Sequence, residues 1–140
     1  MKLLLSTLIL LISSVIYSQN SFDTTLLLNN LQAFSADTMA GRAVGTEGGL
    51  KSQAFIQKRF EQLDLLQFNK KYAHSFAFAN PFKKAKITGI NMIGWIRGKK
   101  YPNQYIVVSA HHDHLGERDS VIYNGADDNG SGTCALFFYR

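Results

Sequence analysis

A chain of 140 residues has room for one domain with its own core but not for two. Hydrophobic content of 46% against 18% charged residues excludes an intrinsically disordered chain. The formal charge of +5 is carried in short clusters, Lys70-Lys71, Lys83-Lys84-Lys86 and Arg97-Lys99-Lys100, at expected strand flanks and turns. No sustained basic stripe is present, which argues against a nucleic-acid partner.

Met1 and Lys2 precede an apolar run from Leu3 to Ile16, with Ser18 as a small residue at a plausible cleavage point. This pattern predicts a secretory signal peptide over residues 1–18 and a mature chain from about Gln19. The run is short for a membrane span, so an uncleaved anchor is the competing reading and no stable membrane association is expected after cleavage. The remaining 14 basic and 10 acidic residues leave +4. Cys134 is the sole cysteine, so no intrachain disulfide can form. Its neighbours Ala135, Leu136 and Phe137 predict a buried small hydrophobe rather than a nucleophile.

Thr24 or Thr25 can cap a helix whose Leu27, Leu31 and Phe34 recur at helical spacing. The stretch 37–49, DTMAGRAVGTEGG, breaks that periodicity with four glycines and reads as an ordered loop. Helical periodicity returns from Leu50 to Leu66, with Ala54 or Ile56, Phe60 and Leu63 on one side and Lys51, Lys58 and Glu61 on the other. Strands are predicted over Tyr72–Phe78, ended by Asn80-Pro81, and over Lys86–Arg97, followed by a turn at Gly98–Gln104. The run Tyr105–Ala110, YIVVSA, is almost continuously apolar and predicts a central strand covered on both faces. Ligands in open α/β sheets bind beyond such strand ends, and His111 is the next residue.

If the chain stays extended through HHDH, His111 and Asp113 project to one side, and His112 and His114 to the other. Asp113 is then placed to take the second N–H of a metal-bound His111 imidazole. Further on, NGADDNGSG (124–132) puts paired carboxylates in a turn before Thr133–Phe138, which reads as the start of a buried helix. Seventeen residues separate His111 from Asp128, enough to fold back. Competing motifs fail on the same letters. A calcium loop opening at Asp127 would need a glutamate where Phe138 stands, and a nucleophile elbow at Ser131 would need glycines where Asn129 and Thr133 stand. No glycine-rich nucleotide-binding motif is present.

The segments GRAVGTEGG (41–49), AFIQKRF (54–60), NMIGWIRG (91–98), VVSAHHDHLG (107–116) and YNGADDNGSGTCAL (123–136) together resemble the first half of an M28-family zinc peptidase. The last two are the specific ones. The resemblance implies a doubly wound α/β domain with a mostly parallel central sheet flanked by helices, 19–140 forming its N-terminal part. It also implies two zinc ions bridged by a carboxylate and a water. On that basis His111 matches a zinc ligand, Asp113 the aspartate that supports it, and Asp128 the bridging carboxylate, while Asp127 is not a ligand.

Two such metals polarise a scissile carbonyl and acidify water, with a glutamate as general base. In the family that base belongs to a downstream Glu-Glu pair, and a further aspartate and a late histidine complete the site. None of these is assigned here, so the chain is expected to hold part of a site and to be inactive alone. The implied function is exported, zinc-dependent aminopeptidase-like hydrolysis of peptides. A glutaminyl cyclase of related fold and a noncatalytic interaction domain are the alternatives, and GADDNGSG favours the peptidase.

Overall fold

The computed structural model describes residues 22–79 and 86–139. The expected signal peptide, the Asn80-Pro81 strand end and Lys83-Lys84 lie outside the described residues. Helix α1, Thr24–Phe34, is capped by Asp23 rather than by either threonine, the carboxylate accepting from the Leu26 N–H at 2.8 Å. Phe34 at its end is fully buried, with Leu27 and Leu31 packed beside it as the spacing predicts. Helix α2, Glu47–Gln62, starts three residues earlier than its apolar pattern, because Thr46 caps it by accepting from Gly49 N–H.

The strands come as three antiparallel pairs: β1 (Leu66–Gln67) with β4 (Gly94–Trp95), β2 (Ala73–Ala79) with β3 (Lys86–Met92), and β5 (Gly116–Arg118) with β6 (Val121–Tyr123). The longest pair runs in register from Ala73 opposite Met92 to Ala79 opposite Lys86. Helix α3, Ser131–Leu136, closes the described chain.

This is an α/β arrangement, as expected; the described strands pair only antiparallel, and no parallel, doubly wound sheet is seen among the described residues. The expected central strand at 105–110 is corrected. Those residues form no strand, and Ile106 and Val107 are 95% and 85% exposed. A strand requires a neighbour to share its ladder, and among the described residues none pairs with this segment.

The core lies between the helices. Phe34, Ile56, Cys134 and Phe137 are its buried centre. Rings form a chain through it, Phe34 to Phe55 at 5.2 Å between centroids, Phe55 to Phe137 at 6.3 Å and Phe60 to Tyr72 at 5.5 Å edge-on. Between α1 and α2 the chain makes a 3-10 segment, Asp37–Arg42, whose last three residues have positive φ: Ala40 at 47°, Gly41 at 63° and Arg42 at 52°. The loop predicted from its glycines is therefore a sharply turned, packed segment.

Gly41 sits directly against the β5–β6 hairpin. A Cβ there would stand 2.5 Å from the Gly116 carbonyl oxygen and 2.7 Å from that of Tyr123. Both obstacles are backbone, and the left-handed φ adds strain for any other residue. Gly41→Ala is therefore expected to destabilise the fold by more than about 1 kcal/mol. A urea midpoint equal to or above that of the parent protein would contradict this close approach.

Burial pushes the Cys134 thiol up to about 11, with Arg42 and Arg59 only partly opposing it. Folding then holds the thiol protonated where an unfolded chain, at about 8.5, would release the proton. This contribution to stability is complete below that value and is lost as pH rises toward 11. Native protein should resist thiol-specific reagents at pH 8 and react fully in denaturant; equal rates in both states would refute the buried placement.

Candidate metal centre

Two segments meet beside the 3-10 turn. One is 111–114, HHDH, in irregular backbone. The other is 124–130, where Gly125 in a left-handed conformation leads into a broken π-type turn, Ala126–Gly130, ahead of α3. Asp128 and Asn129 depart from helical geometry inside that turn.

His111 and Asp128 come together across this junction, Nε2 lying 2.9 Å from Oδ1. The other imidazole nitrogen, Nδ1, donates to the main-chain carbonyl of Asp113 at 3.0 Å. A carbonyl can only accept, so this contact fixes the proton on Nδ1 and aims Nε2 at Asp128. The Asp113 carboxylate stands farther back, Oδ1 at 3.7 Å from the same nitrogen. Asp113 thus orients His111 through its backbone first and its side chain second. Both side chains of the central pair are accessible, at 50% for His111 and 72% for Asp128.

The alternation expected for HHDH separates His111 from His112 but does not carry through to His114. His112 turns inward. Its Nε2 donates to the Ile90 carbonyl on β3 at 3.0 Å, and its Nδ1 meets the buried Ser52 hydroxyl on α2, also at 3.0 Å. Ser52 Oγ in turn contacts the Gly49 carbonyl at 2.8 Å. His112 therefore anchors the segment between a helix and a strand. His114 lies on the Asp128 side, Nδ1 being 3.8 Å from Oδ2. It packs so closely over Gly125 that a Cβ on that residue would fall 2.5 Å from its ring.

Asp127 is exposed and gives its carbonyl to the Ser131 hydroxyl at 3.1 Å. Thr133 on α3 donates to the His111 carbonyl at 3.0 Å, joining the helix start to the 111–114 segment.

The residue that sequence reasoning passed over is Arg42. Its side chain is fully buried beneath the junction, and burial lowers its pKa, with Cys134 and Asp113 acting in the opposite sense. Nε donates to the His112 carbonyl at 2.9 Å, Nη1 to Phe34 and Asn124 at 2.8 and 2.6 Å, and Nη2 to Gly125 at 2.7 Å. The guanidinium lies 4.5 Å from the centroid of the Phe34 ring. Its only sequence signal was an arginine inside a glycine-rich loop.

An imidazole nitrogen and a carboxylate oxygen converging from two segments are a donor set suited to zinc. The fit goes as far as that pair. Among the described residues no group of three His, Cys, Asp or Glu side chains stands together in a form that could hold a metal ion. Residues 91–138, about a third of the chain, match the family described as peptidase family M28. This stretch contains both β4 and the whole of the junction just described. No curated protein matches the chain.

Proposed function

We propose that this M28-family peptidase, identified as such over residues 91–138, is an exported zinc-dependent exopeptidase that releases N-terminal residues from peptides. The observation that carries the reading is the approach of His111 Nε2 and Asp128 Oδ1 to 2.9 Å from segments 17 residues apart. Two ions are the count implied by the family resemblance, and His111 and Asp128 are the residues here that would help to hold them.

Bound at this pair, zinc would supply a Lewis acid for the scissile carbonyl and acidify water. The chain's own residues do the holding. His111 presents Nε2 because Asp113 occupies Nδ1. Asp128 offers an exposed carboxylate, and the Asp113 carboxylate backs the imidazole from 3.7 Å. Catalytic zinc normally takes three protein ligands, so the remaining ligands and the general base belong to residues beyond this pair. Export is supported by the apolar run 3–16 after Lys2.

In the intact protein, His111→Ala or Asp128→Ala is expected to lower chelator-sensitive release of N-terminal residues by more than about 100-fold, beyond the usual cost of losing an outer-shell partner. An unchanged rate would remove the assignment. Asp113→Asn keeps the carbonyl that holds Nδ1 and should cost only about 10-fold, at the low end of that range. If chelation has no effect on any of these proteins, the noncatalytic reading takes over. Mass spectrometry of the exported protein should find the mature terminus near Gln19; a product retaining Met1 would rule out signal cleavage.

A further inference from the structure

Neither ligand of the proposed centre is held in place by its own side chain alone, since both are half-exposed or more. The separation of the two segments must therefore be set below the surface. Arg42 is the group that reaches both. Its Nε bonds the carbonyl of His112, the residue next to one ligand, and its Nη1 and Nη2 bond the carbonyls of Asn124 and Gly125, which lead into the turn bearing the other. These contacts span 70, 82 and 83 residues of sequence. The backbone of Arg42 adds a further link, its carbonyl accepting from His114 N–H at 3.3 Å.

A guanidinium is planar and its N–H groups point in fixed directions, so it spaces the backbones it bridges by its own width. A lysine ammonium cannot do this, because its three donors diverge from a single atom. Positive φ at Ala40, Gly41 and Arg42 turns the chain so that the side chain enters the junction from beneath.

We propose that Arg42 is the positioning residue of this metal centre, holding segments 111–114 and 124–130 at the separation that lets His111 and Asp128 share an ion. The inference rests on the metal reading of that pair. Arg42 touches neither ligand side chain, so it acts only through the backbones that carry them. A plain structural cation would differ in a measurable way. It would set how stable the fold is and leave the zinc affinity of folded molecules unchanged.

The test follows the His111 ring resonances by NMR as zinc alone is added, over micromolar to millimolar concentrations, with folding checked by near-UV circular dichroism. Arg42→Lys should weaken zinc binding about 10- to 100-fold, the range expected when support behind a metal ligand is lost. In an Asp128→Ala background, where the two segments no longer share an ion, the same change should cost less than about 2-fold, a non-additive cycle. Arg42→Gln, which keeps two donors without the charge, serves if the lysine variant does not fold. Undiminished zinc affinity in a folded Arg42 variant overturns the inference alone, as does a loss that is equally large in the Asp128→Ala background. A His111 ring that ignores zinc in the parent protein, or responds equally after Asp128→Ala, overturns the metal reading and the inference with it.

Discussion

Burying a guanidinium without a carboxylate in hydrogen-bond contact is costly, and the cost is met only if its N–H groups find acceptors of fixed geometry. Arg42 meets that condition with four main-chain carbonyls drawn from α1, the HHDH segment and the turn before α3. If the side chain moved, the buried Phe34 carbonyl would be left short of a partner at a cost of roughly 1–3 kcal/mol, and the three part-buried carbonyls would lose theirs as well. The arrangement is therefore nearly all-or-none. The end of α1, the 3-10 turn and both segments of the candidate centre keep their places together.

That constraint explains a division of labour in the centre. The groups suited to chemistry, His111 and Asp128, are accessible, whereas the groups that set their positions are not. Arg42 and Ser52 are fully buried, Thr133 is nearly so, and His112 spends both ring nitrogens on internal partners. A carboxylate that must approach an ion or a substrate cannot also be packed in a core. Its precision has to come from backbone held elsewhere, and here the holding is done by hydrogen bonds to the carbonyl that follows His111 and to two carbonyls that precede Asp128.

Sequence reasoning found the elements whose logic is local. The stripe Leu27, Leu31, Phe34 did bury its face, and Ile56, Phe60 and Leu63 did the same for α2. Cys134 was placed in the core from its neighbours alone, and it is fully buried there. The β2 and β3 spans were also recognisable, their alternation surviving as an antiparallel pair. The reading of Tyr105–Ala110 went astray for a physical reason. An apolar run states what kind of surroundings would suit a strand but does not provide them, and the described residues supply no ladder partner for it.

The candidate centre divides along the same line. Residue types and spacing in HHDH and GADDNG, together with the family resemblance, single out His111, Asp113 and Asp128 as candidates, because metal-ligand chemistry depends on side-chain identity, and the three do lie together in the structure. Alternation also separated His111 from His112, a distinction that needs only one residue of extended chain. It did not extend to His114, whose Nδ1 stands 3.8 Å from Asp128 Oδ2, a meeting between two segments that no local pattern encodes. Arg42 lay beyond any local rule. Its role consists of contacts up to 83 residues away with carbonyls that every residue possesses, so only the tertiary structure could decide which of them it would hold.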